Sequence, residues 1–133
     1  MRGAKRPHGE PDVDDIEYAE PPETLRRLYA NKTIESRLMG RTLRLDLPVD
    51  VFSSFQVDRG TRRLLRQIQA AAASWNAALD LGCGYGPIAL HLAAAGVAGR
   101  CTAVDRDALA VSFTAANARH NDLANVEAHG AIA

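Results

Sequence analysis

Residues 79–88 read Leu-Asp-Leu-Gly-Cys-Gly-Tyr-Gly-Pro-Ile, and this stretch decides the fold. It begins inside a short apolar run, residues 77–81, which predicts a buried strand that stops at Gly82. Pro87 suits the first turn of a helix, because the N–H that proline lacks would have no intrahelical partner there. The glycines between strand and helix let the backbone pass close to a bound molecule. We therefore predict a strand, a glycine-rich turn and a helix, in that order.

The segments on either side continue this alternation of helices and strands. Upstream, an apolar stripe at helical spacing predicts a helix with Thr61 as its cap. The stripe consists of Leu64, Leu65, Ile68, Ala72 and Trp75. Downstream, Gly96 suits the end of the helix that Pro87 starts, residues 101–104 predict a second strand, and Asp107 is a candidate cap for the next helix. With a third strand beginning near Val126, the order predicts an open α/β fold with a parallel sheet.

The first part of the chain has a different character. From Thr33 to Leu47 apolar and polar residues alternate around a turn at Met39-Gly40, which predicts a β-hairpin closed by Pro48. A short amphipathic helix is predicted before the hairpin, at Leu25, Leu28 and Tyr29, and a loop with Phe52 and Phe55 after it. We expect three parts: a disordered arm at 1–23, the helix, hairpin and loop at 24–57, and an α/β domain at 58–133.

Charge is distributed unevenly over these parts. Residues 1–23 carry seven acidic and three basic side chains and four of the six prolines, a composition typical of disorder. Residues 24–73 carry ten basic and four acidic groups, whereas residues 74–133 carry three and five. The basic stretch suggests an anionic partner such as RNA. Arginines on the solvated faces of a helix and a hairpin are the alternative interpretation.

The overall composition fits one soluble domain, with 133 residues, 47% of them apolar, and 16 basic against 16 acidic groups. No apolar run approaches the roughly 20 residues of a membrane-spanning helix, and the charged first 20 residues are unlike a signal peptide, so we expect a cytoplasmic protein. Cys83 and Cys101 should be free thiols, about 13 Å apart if their strands are parallel. We expect no metal site, with His91 and His120 at a surface or an interface and His129 near the strand ends.

Two acidic residues accompany the glycine-rich turn. Asp80 precedes the first glycine by two positions, and Asp105 ends the next strand, where a carboxylate can accept hydrogen bonds from both hydroxyls of a ribose. Counting from Gly82, Pro87 stands where a dinucleotide-binding G-x-G-x-x-G motif needs its third glycine. Asp80 would also repel a pyrophosphate and attract an ammonium group. The pattern therefore favours S-adenosylmethionine, which carries an ammonium, a sulfonium and a ribose, over NAD.

The motif Asp80-Leu81-Gly82-Cys83-Gly84-Tyr85-Gly86-Pro87-Ile88, preceded by Phe52-Ser53 and Val57-Asp58-Arg59-Gly60-Thr61, resembles the class I S-adenosylmethionine-dependent methyltransferases of the small domain type. This group includes ribosomal RNA guanine-N2 methyltransferases. The resemblance also takes in Val104-Asp105, Asn117 and residues 121–126, and so spans about residues 49–128. It implies a Rossmann-like open parallel sheet with helices on both faces. It also implies methyl transfer to an amine-type acceptor, with RNA as one candidate.

Carried over position by position, the resemblance implies a role for each motif residue. Asp80 would read the methionine amino group, directly or through water, and the loop of Gly82, Cys83, Gly84, Tyr85 and Gly86 would pass under the cofactor. Asp105 would hold the ribose, and Arg106 would lie beside the adenine. The segment with Asp58, Gly60 and Thr61 would close over the methionine end, although capping the following helix is an equal alternative for Asp58. For Phe52 and Phe55, packing within the loop is the alternative to stacking on substrate.

Two features of the family have no counterpart in the chain. The acidic residue that usually follows the third strand is absent, since the chain reads Glu-Ala-His-Gly-Ala-Ile-Ala over residues 127–133. The family's Asn-Pro-Pro segment follows a fourth strand, so we expect the catalytic residues beyond Ala133, no turnover by this chain alone, and a bare hydrophobic edge on the first strand of the sheet. The first hypothesis is that the chain is the N-terminal half of a methyltransferase. A non-catalytic nucleoside-binding module or gene fragment, and an NAD-dependent oxidoreductase, are the alternatives.

Overall fold

The computed structural model describes residues 30–48 and 57–130 of the chain. The predicted acidic arm, the helix near Leu25 and the loop with Phe52 and Phe55 lie outside these residues. Two antiparallel strands, β1 (Ala30–Leu38) and β2 (Arg41–Pro48), come first and are followed by helix α1 (Arg59–Ala70). The remaining elements alternate: β3 (Trp75–Leu81), α2 (Pro87–Ala94), β4 (Ala98–Asp105), α3 (Ala108–His120) and β5 (Val126–Gly130).

The last three strands form a parallel sheet in the order β3-β4-β5, which confirms the predicted α/β class. Parallel crossovers are almost always right-handed, so a sheet whose strands follow one another in sequence order has its crossover helices on one face. In agreement, α2 and α3 both contact β2 of the hairpin. Cys101 and Ala103 of β4 are buried on that face. Within the described residues, no helix covers the opposite face.

The opposite face and the outer edge of β3 are therefore open to solvent as far as the described residues go. Leu79 and Leu81 point to this face and are 60% and 73% exposed. Leucines are rarely exposed as neighbours on a strand, because burying such side chains contributes about 1.5–3 kcal/mol each. These two leucines therefore expose apolar surface on the face of β3 opposite Asp80 and the helices.

The hairpin packs on the outside of the two crossover helices. Its two-residue turn, Met39 and Gly40, has positive φ at both positions (55° and 76°), as the tight turn between twisted strands requires. One face of the hairpin is apolar and buried, and it contacts α2 and α3. That face belongs to the same hydrophobic cluster as Leu65 of α1 and Phe113 of α3. The layers are hairpin, helices and sheet.

Helix α1 differs from the prediction in its cap and its extent. Asp58, not Thr61, is the cap, because the Asp58 carboxylate accepts a hydrogen bond from the Thr61 N–H at 2.9 Å. The helix ends at Ala70, and Ala72 has a φ of 52° that turns the chain away. Trp75 is consequently the first residue of β3 and is 45% exposed, so its match to the helical spacing is a coincidence.

His91 lies at the contact between α2 and the hairpin and is fully buried, where a position at a surface or an interface was expected. Its Nε2 is 2.8 Å from the hydroxyl of Ser36 on β1. Burial lowers the pKa of His91 to about 4 from an ordinary value of 6.5, against a smaller opposing effect of the Leu38 backbone. The neutral imidazole is therefore the form that supports the fold.

We expect the stability of the chain to fall in acid because of His91. Between pH 6.5 and about 4 the unfolded chain binds a proton at His91 that the folded chain does not, so the free energy of unfolding decreases as the pH falls and levels off below that range. The expected loss is up to about 3 kcal/mol. Urea denaturation near pH 7 and near pH 4 measures it, and His91→Gln should remove this part of the difference. An equal pH dependence in the variant would contradict the assignment.

Candidate functional site

The glycine-rich loop starts at the carboxyl end of β3 and ends at the first residue of α2. The N–H groups of Gly82 and Cys83 both donate to the carbonyl of Val104 on β4, at 2.7 and 3.0 Å. A side-chain carbon added at Gly82 or at Gly84 would meet no atom within 4 Å. The outer side of the loop is therefore open, which leaves room for a ligand to lie against the main chain.

Helix α3 holds the inner side of the loop. The Thr114 hydroxyl donates to the carbonyl of Gly84 at 2.8 Å, and the Asn117 amide donates to the carbonyl of Tyr85 at 2.9 Å. Gly86 is packed so tightly that an added carbon would lie 3.0 Å from both Leu90 and Thr114. Thr114 was not singled out from the sequence. Its apolar neighbours on α3 give no signal that its hydroxyl serves the loop.

Asp105 ends β4 and reaches the loop directly. Its Oδ2 accepts a hydrogen bond from the Gly84 N–H and its Oδ1 accepts one from the Asp107 N–H, both at 2.9 Å. Each carboxylate oxygen has a further lone pair, so the group is oriented by the main chain and can still accept hydrogen bonds from a ligand. The structure thus brings Asp105 and the loop together, as the sequence predicted. Arg106 follows at an exposed bend.

Asp80 is half-buried on the helix side of β3. Its Oδ2 accepts a hydrogen bond from the Ala89 N–H in the first turn of α2, at 3.2 Å. Burial raises the pKa of Asp80, with a further increase from the negative charge of Asp105. Because Asp80 already bonds a main-chain donor at the start of α2 and adds a negative charge there, this helix terminus is poorly suited to a phosphate.

The start of α1 contributes the third acidic group of the region. Asp58 caps α1 through the N–H and the hydroxyl of Thr61, at 2.9 and 3.0 Å. Burial raises the pKa of Tyr85 to about 12, and the negative charge of Asp58 adds to the increase. Of the two roles considered for Asp58, the structure shows helix capping, and closing over a ligand stays a prediction. Gly60 is exposed and Thr61 is half-buried.

The cysteines are structural residues of the site region. Cys83 and Cys101 are both free and buried, which confirms the prediction of free thiols. Burial raises the pKa of Cys83 to about 11, so its sulfur is a protonated thiol near neutral pH and a poor nucleophile. Cys83 can contribute to a ligand site through its backbone.

His129 pairs in register with Val104 near the carboxyl ends of the strands, as the sequence predicted, and His120 lies beside the hairpin. His120 lies 3.6 Å from the carboxylate of Asp46, and His129 on β5 lies 3.3 Å from that of Glu127. Residues 30–48 and 57–130 contain no group of three or more His, Cys, Asp or Glu side chains able to hold a metal ion. Within the same residues, no helix is long and apolar enough to cross a membrane.

Comparison with known proteins gives a family match and a relative of unknown activity. The family model "Methyltransferase small domain" matches residues 43–131. The uncharacterized protein YbxB of Bacillus subtilis (strain 168) is 32% identical over 111 residues, which are 83% of this chain and 53% of YbxB. The chain therefore spans about half the length of this curated relative.

Among solved structures, the chain is similar to the T. thermophilus 16S rRNA N2 G1207 methyltransferase (RsmC) in complex with AdoMet and guanosine. The TM-score is 0.65 at 25% identity, over 74% of this chain and 27% of RsmC. It also has the fold of M. jannaschii TYW2, solved in complex with AdoMet, with a TM-score of 0.54 at 20% identity, over 76% of this chain and 43% of TYW2. The expected Rossmann-like architecture is confirmed.

Proposed function

Because the chain belongs to the methyltransferase small domain family, we propose that it forms the cofactor-binding half of an S-adenosylmethionine-dependent methyltransferase. The catalytic residues of this enzyme would lie in further polypeptide outside the 133 residues. The chain spans 53% of YbxB and 27% of RsmC, which supports further polypeptide in the whole enzyme. The chain alone would then bind the cofactor without turnover.

The single observation that carries the proposal is the pairing of an open glycine loop with two carboxylates. Asp105 is bonded to the loop, and Asp80 lies close enough for its pKa to be raised by Asp105. Such a negative site attracts an ammonium or sulfonium and repels a pyrophosphate. The residues therefore fit S-adenosylmethionine better than NAD. The bound form of RsmC, which contains AdoMet, supports the same choice.

Different residues of the chain would contact different parts of the ligand. Asp105 would accept hydrogen bonds from the ribose hydroxyls and Arg106 would border the adenine, while Asp80 would face the amino group, directly or through water. The main chain of residues 82–86 would lie beneath, and the Asp58 to Thr61 segment would border the methionine end. When bound, the cofactor supplies a methyl group made electrophilic by its sulfonium. The residues described here hold and orient it.

We propose RNA as the source of the amine-type acceptor. RsmC, at 25% identity, is an rRNA methyltransferase and was solved with guanosine. In this chain, Arg59, Arg63 and Arg66 are exposed on one side of α1, at spacings of four and three residues, opposite the buried Leu65. The stripe begins next to the Asp58 cap, on the side where the methionine end would lie. It suits contacts with RNA phosphates.

Neutralising this arginine stripe should weaken RNA binding. For Arg63→Gln combined with Arg66→Gln, we expect the salt dependence of binding to a single-stranded RNA oligonucleotide to flatten by a slope of about 0.7 per arginine, because fewer counterions are released. Fluorescence anisotropy across a series of salt concentrations measures the slope. Arg100→Gln, at an exposed position on β4, is the matched control and should leave it unchanged. If the slope is the same for the wild type, the double variant and Arg100→Gln, the arginine stripe does not contact RNA phosphates.

The test of the proposed function is ligand-dependent stability. At a hundredfold excess over its dissociation constant, S-adenosylhomocysteine should stabilise the full chain by about 2.7 kcal/mol. NAD at the same concentration should leave the unfolding midpoint unchanged. Stabilisation by NAD and not by S-adenosylhomocysteine would replace the proposal with the oxidoreductase alternative. Methyl incorporation into RNA by the chain alone would disprove the claim that the catalytic residues lie elsewhere.

A further inference from the structure

Two asparagines of α3 pair with the edge of β2 that faces away from β1. The Asn117 Oδ1 accepts from the Asp46 N–H at 2.8 Å, and its Nδ2 donates to the Asp46 carbonyl at 3.1 Å. One turn later, Asn121 makes the same two contacts with the main chain of Arg44, at 3.0 and 2.8 Å. Arg44 and Asp46 are two residues apart and so present their peptide groups on the same edge. The two side-chain amides thus continue the pairing of the hairpin as a further strand would.

Asn117 and Asn121 differ in the acceptor of the second amide hydrogen, which for Asn121 is the Asn117 carbonyl at 2.7 Å. The second amide hydrogen of Asn117 is donated to the carbonyl of Tyr85, at 2.9 Å, inside the glycine-rich loop. The side chain is fully buried, and its oxygen and both N–H groups are all used. A single amide therefore bonds the hairpin on one side and the loop on the other.

We propose that Asn117 is a positioning residue for the cofactor site, through which docking of the hairpin sets the conformation of the loop. This inference rests on the proposed function, since it assigns a role toward the ligand of the same loop. An aspartate in this place has the same shape but no N–H to donate. Its carboxylate oxygen would face the carbonyls of both Tyr85 and Asp46, and the loop would lose its bond to the hairpin.

The link between hairpin and loop acts in both directions. A ligand that favours the ordered loop will favour the docked hairpin by the same factor, because coupling between two sites is reciprocal. The exposed face of the hairpin carries Arg37 and Arg44. Binding of another molecule to that face would then change the affinity of the loop for its ligand, and ligand binding would change how firmly the hairpin is docked.

Three variants of the full chain separate the two contacts. Asn117→Asp removes the donors to hairpin and loop together. Asn121→Asp removes the donors to the hairpin and to the Asn117 carbonyl and touches no loop residue. Thr114→Val removes the hydroxyl contacts with Gly84 and Cys83 of the loop and leaves the hairpin contact intact. The measurements are hydrogen exchange of the amides of residues 82–86, the dissociation constant of S-adenosylhomocysteine by calorimetry, and stability in urea. We expect Asn117→Asp to speed loop exchange and weaken binding, each at least tenfold. Thr114→Val should do the same to a smaller extent.

Asn121→Asp is the matched control and should lower stability while leaving loop exchange and affinity within twofold of the wild type. If Asn117→Asp also binds within twofold, with a stability loss like that of Asn121→Asp, its role is only structural and the proposal is wrong. If the wild type binds no S-adenosylhomocysteine, the proposed function fails. The loop exchange rates of the variants still decide whether Asn117 positions the loop.

One measurement needs no variant and so holds even if Asn117→Asp does not fold. In the wild type, saturation with S-adenosylhomocysteine should slow exchange of the Asp46 amide, which donates to Asn117, at least threefold. The Arg44 amide, which donates to Asn121, should respond less. Binding that leaves the exchange of the Asp46 amide unchanged would overturn the coupling.

Discussion

Replacing Asp105 with alanine should weaken the binding of S-adenosylhomocysteine by about tenfold to a hundredfold. Hydrogen bonds to a charged group contribute about 1.5–3 kcal/mol, and each 1.4 kcal/mol is a factor of ten in the dissociation constant. The carboxylate would accept bonds from the ribose, and it also holds the N–H of Gly84, so its loss removes a ligand contact and loosens the loop together. Calorimetric titration of the wild type and the variant measures the difference.

Asp107→Ala is the control for this experiment. Asp107 caps α3 by accepting from the Leu109 N–H at 2.9 Å, and its loss should lower stability by about 1 kcal/mol, as for other helix caps. Because its carboxylate serves the helix and not the loop, affinity should stay within twofold. An Asp105→Ala chain that also binds within twofold would show that the ribose role is wrongly assigned.

The parts of the fold that were predicted correctly depend on short-range geometry. The Met39-Gly40 turn, Pro87 at the start of α2 and Asp107 as the cap of α3 each involve neighbours within four residues. Asp105 and the loop were also paired correctly, because parallel strands bring their carboxyl ends to one edge.

The parts that were missed depend on contacts distant in sequence or on conformations without a residue signal. His91 meets Ser36 across 55 positions, and Thr114 meets Gly84 across 30, so neither pairing has a local pattern. The end of α1 was missed because Ala72, an alanine, takes the left-handed conformation usual for glycine. Thr61 has the side chain of a typical cap, but Asp58 three positions earlier occupies that place and leaves Thr61 inside the helix.

Alanine at Gly86 should mainly lower stability, whereas alanine at Gly84 should mainly weaken ligand binding. At Gly86, where φ is 99°, the new methyl would press against Leu90 and Thr114 at 3.0 Å. The left-handed backbone costs about 1–2 kcal/mol and overpacking about 1–3 kcal/mol, so we expect Gly86→Ala to lower the free energy of unfolding by about 3 kcal/mol. That is a large share of the roughly 5–15 kcal/mol that stabilises a typical domain. Urea denaturation measures this loss.

At Gly84, where φ is 59°, the new methyl would enter open space on the outer side of the loop. Stability should fall by only about 1–2 kcal/mol, for the backbone alone. The methyl would occupy the space where the ligand would lie, so binding of S-adenosylhomocysteine should weaken at least tenfold. Gly96→Ala separates strain from steric exclusion, because Gly96 has a φ of 72° with no atom within 4 Å and lies at the far end of α2. It should lose stability as Gly84→Ala does and keep its affinity, whereas unchanged affinity in Gly84→Ala would place the ligand elsewhere.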